Sequence, residues 1–263
     1  MTAAPPVLAI ERRLGMVVLT LDRPHAANAL DSALARALAQ AAADCDADPT
    51  VKAVVLTGRG RFFCAGGDLT AMAAFGERTG LAVKALADDL HRAIASFARM
   101  RAPLIVAVNG TAAGGGLSLA IAGDLVLAAD SASFTLAYTK AGLSPDGSSS
   151  YYLPRLVGLR RAQELIFTNR RLDAKEAVHW GLIHRAVPAA TLMDEALRLA
   201  EGFVEGAGHA NAAVKRLLLA SWGNGLETQM ELEGRAVAEN AGSADGREGI
   251  RAFLDKRAPD FSR

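Results

Sequence analysis

Three consecutive glycines, Gly114-Gly115-Gly116, constrain this chain more than any other feature. The apolar, β-branched run Leu104–Val108 leads into them, and Leu117, Ala120 and Ile121 follow at helical spacing, so Asn109–Asp124 reads as strand, tight turn, helix. Glycine allows close backbone approach, and the first N–H groups of a helix have no partner within it. Such a corner can hold a developing negative charge, or it can simply let a helix pack hard against a sheet. The glycines alone leave both readings open.

Around this corner the pattern is that of an α/β body. Val7–Glu11 and Met16–Leu21 predict strands joined by a Leu14-Gly15 hairpin turn. Leu30, Leu34, Leu38 and Ala41 mark a helix capped by Asn28 or Asp31. Ala53–Thr57 predicts a buried strand, and Phe63-Cys64-Ala65-Gly66-Gly67-Asp68 forms a second apolar-to-glycine junction. Residues 70–86 have weak periodicity and read as a cover; Leu86, Leu90, Ile94 and Phe97 then form a helical stripe. Leu125–Ala129 and Leu182–Val187 predict further strands, and Asp173 with Glu176 a capping box. From Leu192 the pattern is helical throughout. The expected organisation is an α/β core over 1–190 and a helical region over 191–263.

With 263 residues, just over half of them hydrophobic, and a net charge of +1, the chain has material for a large core and no basic run to suggest nucleic acid. Cys45 and Cys64 form neither a metal-ligand spacing nor a disulfide framework, and His179 and His184 make a poor metal pair, so no metal is expected. That cysteine usage fits a reducing cytoplasm, and the first thirteen residues are a poor signal peptide. Ala102–Gly123 lacks charge over a membrane-spanning length, but its five glycines, Pro103 and Asn109 argue for a buried strand–turn–helix instead.

Two glycine junctions at strand ends could present two backbone donors to one oxygen, an arrangement worth about 3–4 kcal/mol of barrier per donor. No nucleophile elbow, phosphate loop or zinc helix motif is present. Asp146, in a Pro-Asp-Gly turn next to Ala141-Gly142-Leu143, is the leading acid–base candidate, because an apolar neighbourhood favours the protonated carboxyl. Aspartate is also an ordinary turn residue after proline, and composition by itself favours that plainer reading.

Three segments taken together resemble the enoyl-CoA hydratase/isomerase (crotonase) superfamily: Asp22–Leu30 (DRPHAANAL), Phe63–Leu69 (FCAGGDL) and Asn109–Gly116 (NGTAAGGG). The similarity continues through Ala177–Val187 and Arg247–Leu254. The resemblance implies a spiral of ββα units, a C-terminal helical region that packs trimers or pairs of trimers, and an acyl-CoA substrate. Coenzyme A would be part of the substrate, so no separate cofactor is implied. By resemblance, the N–H groups of Ala65 and Gly115 are the oxyanion donors, with Gly114 beside them. Arg23, His25, Ala26, Ala27, Asp68 and Leu69 would cradle the adenine and pantetheine arm. Phe253 and Lys256 would reach a CoA site, a neighbour's included.

Typical hydratases of the superfamily position water with two glutamates. Those positions are Ser118 and Tyr138 here, which leaves them as substrate-pocket residues. The segment Gly142–Gly147 (GLSPDG) instead resembles members with a single acid at the Asp146 position: Δ3,Δ2-enoyl-CoA isomerases and the ring-epoxide isomerases of phenylacetyl-CoA breakdown. That resemblance turns Asp146 from a turn residue into a catalytic candidate and favours an isomerase of fatty or aromatic acid degradation. The alternatives are a hydratase with an unconventional water site and a non-catalytic or RNA-binding relative. The helix after Asn28 carries only Arg36 before Lys52, which argues against RNA; neither nucleic acid nor a membrane is expected as a partner.

Overall fold

In the computed structural model, which describes residues 6–261, a pair of strands and a helix recur along the first two thirds of the chain. Strands β1 (Leu8–Arg13) and β2 (Met16–Leu21) form the expected hairpin, with Gly15 at its turn in the left-handed region (φ 73°). β3 (Ala53–Gly58) is followed at once by the short β4 (Phe62–Cys64). In the same way β5 (Leu104–Val108) is followed by β6 (Thr111–Ala113), and β7 (Leu125–Ala129) by β8 (Ser133–Thr135). The long member of each pair joins one sheet and the short member another. Adding β9 (Leu172–Asp173) and β10 (Arg185–Val187), the orders are β1-β2-β3-β5-β7-β10 and β4-β6-β8-β9. This is the ββα spiral implied by the resemblance. The repeat is invisible as a sequence period because the intervening helical segments differ greatly in length.

From β2 to β10 the larger sheet is parallel. A parallel sheet is covered on both faces, so its strands read as unbroken apolar runs, and AVVLTG and LIVAV are buried throughout. Helix Ser32–Ala47 lays Leu34, Leu38, Ala41 and Ala42 into this core, and its N-cap is Asp31, which accepts from the Leu34 N–H. Asn28, the other candidate cap, is fully buried and binds the carbonyls of Arg59 and Phe62 instead.

Residues 70–86 are largely helical, and Met72, Gly80, Val83, Lys84 and Leu86 of this stretch line a cavity. Helix Leu69–Ala73 is followed by Thr79–Arg99, a single helix that begins seven residues before the apolar stripe. Its first two turns were unreadable because they line a cavity and are not packed against the core. Ala102–Gly123 becomes strand, turn and helix as expected, and among the described residues no helix is long and apolar enough to cross a membrane. The first five residues of the stretch weighed as a signal peptide lie outside the described residues.

From Leu192 on, the regular elements among the described residues are all helices: Leu192–Val204, Gly208–Ser221, Leu226–Gly242 and Ala244–Leu254. The first of these buries Leu192, Ala196 and Ala200 in the same core as the sheet. The second is anchored by Lys215, whose buried ammonium contacts Asp124 at 2.6 Å and donates to the carbonyls of Phe97 and Ala102. Leu226, Met230, Val237, Ile250, Phe253 and Leu254 are exposed on the later helices.

Candidate active site

Both glycine junctions open into one cavity of about 360 Å³. Its floor is Ala65, Gly66, Gly67, Gly114 and Gly115, and its walls are mostly apolar, including Leu30, Met72, Val83, Leu86, Leu90 and Leu136. Among the described residues only two charged ones line it, Lys84 and Asp146.

The packing explains the glycines. Gly114 has φ 49° and ψ −127°, a conformation that side chains rarely adopt, and donates its N–H to the Thr135 carbonyl. A Cβ on Gly116 would lie 2.3 Å from the Cys64 carbonyl oxygen, so the helix is pressed directly onto the strand below. Both readings of this corner therefore hold: it is a packing contact, and it leaves the N–H of Gly115, at the start of helix Gly115–Ile121, facing no acceptor among the described residues.

The second donor differs from the expectation. The Ala65 N–H donates to the carbonyl of Ala27 at 3.1 Å and is therefore occupied. The chain turns back at Ala27 and Asn28, both in the left-handed region, and this brings that carbonyl onto Ala65. Two residues on, Leu30 and Gly67 form a parallel bridge in which Leu30 donates to the Gly66 carbonyl and Asp68 donates to the Leu30 carbonyl. That ladder uses the groups on either side of Gly67, and its own N–H is given to no acceptor among the described residues. The unspent pair on the cavity floor is Gly67 and Gly115.

Asp146 lines the cavity as expected, but its surroundings are more polar than the sequence suggested. Its backbone carbonyl accepts from the hydroxyls of Ser118 (2.7 Å), Ser149 (3.0 Å) and Tyr138 (3.1 Å). The Ser118 and Tyr138 hydroxyls also meet each other at 3.1 Å. The residues at the two glutamate positions thus brace the Asp146 backbone. Tyr138 is mostly buried, and that burial pushes its phenol up to about 12. The Asp146 carboxylate is 38% exposed and meets His91 Nε2 at 2.6 Å, a partner that sequence reasoning missed because it lies 55 residues away, on helix Thr79–Arg99.

The expected CoA cradle is more heterogeneous. Arg23 contacts Asp31 and Asp68 at 3.1 Å each and also binds the Ala29 carbonyl, so its charge is spent inside the protein. Asp68 caps the following helix; its bond from the Ala71 N–H, with help from Arg23, holds its carboxyl below the usual carboxylate range. Arg23 and Asp68 therefore shape the loop through each other. His25 is exposed on this loop with Ala26 and Ala27 beside it, and Leu69 lines the cavity. Phe253 and Lys256 are exposed near the end of the chain and do not line the cavity.

Other chemistry-bearing residues are structural. His184 Nδ1 accepts from the Val126 N–H, and burial lowers its pKa. Burial pushes the thiols of Cys45 and Cys64 up to about 11 and about 12, which keeps them protonated.

A family model described as enoyl-CoA hydratase/isomerase matches residues 11–263. The chain belongs to the enoyl-CoA hydratase/isomerase family. Among its relatives, a probable enoyl-CoA hydratase of Rhodobacter capsulatus is 42% identical over 94% of this chain and 95% of its own length. The 1,2-epoxyphenylacetyl-CoA isomerase of Escherichia coli is 38% identical over 94% and 95% respectively. The crystal structure of an enoyl-CoA hydratase from Polaromonas superposes with a TM-score of 0.92 at 35% identity, covering 96% of this chain and 98% of that one.

Proposed function

We propose that this enzyme is an acyl-CoA isomerase that moves a proton between carbons with one carboxylate. The observation that carries the reading is that, among the described residues, Asp146 is the only carboxylate lining the cavity above the two unspent glycine amides. The thioester oxygen would lie between the N–H groups of Gly67 and Gly115, which stabilise it as it becomes an enolate oxygen. Asp146 takes a proton from the carbon chain, and the bond's electron pair enters the enolate. Returning the proton at another carbon shifts a double bond. On a ring-epoxide thioester the same acid would assist ring opening. Either outcome needs one shuttling group, whereas hydration needs a held water and normally two carboxylates. Ser118 and Tyr138, at those two positions, are instead engaged with the Asp146 carbonyl.

The apolar cavity walls suit an uncharged acyl group, and the Escherichia coli relative offers an aromatic ring epoxide as one candidate. The exposed apolar residues of the last two helices suit contact between copies, in keeping with a trimer or a pair of trimers. Hydration is the second reading, favoured by the name of the Rhodobacter capsulatus relative. The deciding experiment supplies the purified protein with a 3-enoyl-CoA and a 2-enoyl-CoA in heavy-oxygen water. Conversion of the 3-enoyl to the 2-enoyl thioester without label supports the isomerase. Labelled 3-hydroxyacyl-CoA as the main product would replace it with the hydratase.

A further inference from the structure

The Asp146 backbone and side chain are held by different parts of the molecule. Three hydroxyls surround its carbonyl, and Gly147, in the left-handed region at φ 62°, packs against Ser118, so the backbone has little freedom. The carboxylate has one partner among the described residues, His91 Nε2 at 2.6 Å. His91 belongs to helix Thr79–Arg99, whose Val83, Leu86, Ala87 and Leu90 form one wall of the acyl cavity. Its ring is 48% exposed and lines a second cavity of about 330 Å³, with Gly147, Ser148, Tyr151 and Tyr152. Asp146 lines the acyl cavity and His91 the second one, so their contact joins a residue of each.

We propose that His91 is a positioning residue for the reaction. Its Nε2–H donates to Asp146 Oδ1, fixes the rotation of the carboxylate, and leaves Oδ2 as the basic oxygen turned to the substrate. In the proton-transfer step the α C–H bond breaks, its electron pair enters the enolate, and the proton is taken by Oδ2 while Oδ1 stays bonded to His91. An unpinned carboxylate on an open wall turns toward water, and a misplacement of about 1 Å can cost on the order of 100-fold in rate. Because His91 rides on the helix that walls the acyl cavity, filling that cavity would also set the carboxylate. This inference rests on Asp146 being the proton shuttle.

The test is exchange of the α-hydrogens of a saturated acyl-CoA in heavy water, followed by mass, alongside isomerisation of a 3-enoyl-CoA. Each is measured for wild type, His91→Leu, His91→Gln and Asp146→Asn. His91→Leu fills the space without a donor and should lower kcat and the exchange rate by roughly 10- to 100-fold, with KM changed less than about threefold. His91→Gln restores an N–H near the Nε2 position and should recover most of the rate. Thermal unfolding checks each variant, and His91→Ala serves as a second donor-free variant if the leucine does not fold. The proposal is overturned if removing the donor leaves kcat unchanged, if glutamine loses as much as leucine, or if the loss falls on KM. If Asp146→Asn exchanges as fast as wild type, the shuttle reading itself has failed; if Asp146→Asn is inert while His91→Leu is fully active, only the present inference has.

Discussion

Tyr138 distinguishes a bracing role from a chemical one by magnitude. Tyr138→Phe removes a hydroxyl that lies 3.1 Å from both the Asp146 carbonyl and Ser118 Oγ. The carbonyl keeps its bonds from Ser118 at 2.7 Å and Ser149 at 3.0 Å, so no buried acceptor is stranded. The stability loss should be that of one net hydrogen bond, about 1 kcal/mol. The rate loss should stay below about tenfold, since the Asp146 backbone retains most of its support, whereas loss of a general acid or base costs roughly 10²–10⁴. The pH behaviour points the same way. With burial pushing the phenol up to about 12, Tyr138 stays protonated through neutrality and contributes no ionisation to the rate profile there. Urea unfolding gives the first quantity, and kcat for a 3-enoyl-CoA across about pH 6–9 gives the second. A drop of more than about 100-fold with stability unchanged would refute the brace and make Tyr138 a proton donor in its own right.

Two further outcomes follow from the packing. Gly116→Ala forces a methyl group against the Cys64 backbone at 2.3 Å, where nothing flexible can yield, and should destabilise by about 3 kcal/mol or more in thermal or urea unfolding; a wild-type midpoint would mean that the helix is not pressed onto the strand as described. Lys215→Met strands two buried carbonyls and half of an ion pair with Asp124, and should cost about 3 kcal/mol at neutral pH. Its pH dependence has a definite sign. Burial, the largest influence, lowers the Lys215 pKa below its ordinary 10.5. Between that lowered value and 10.5 the unfolded chain binds more protons than the folded one, so wild-type stability should rise with pH relative to the methionine variant, and a fall across that window would contradict the assignment.

Much of the site was legible where it depends on local chemistry. The strand–turn–helix at the triple glycine follows from residues close together in the chain, and so does the helix capped by Asp31, one of the two cap candidates. Asp146 as the acid came from the resemblance, since its local setting favoured a plain turn residue. What escaped depends on distant returns of the backbone. Ala65 and Gly67 are indistinguishable as donors until the left-handed Ala27 and Asn28 bring a carbonyl onto the first and leave the second unspent. His91 has the look of an exposed helical residue, and nothing local marks it as the partner of a carboxylate 55 residues later. The early start of the Thr79–Arg99 helix was hidden for a related reason: its first turns face an apolar cavity, so they lack the core-facing stripe that announces a helix.

The most direct test of the account is isomerisation of a 3-enoyl-CoA by Asp146→Asn, with acyl-CoA binding measured in parallel. Asparagine keeps the size and a polar contact to His91 but cannot accept the proton. The account predicts a loss of roughly 10²–10⁴ in kcat with binding nearly unchanged. Wild-type turnover by the variant would contradict it, and the proton would have to be moved by another group.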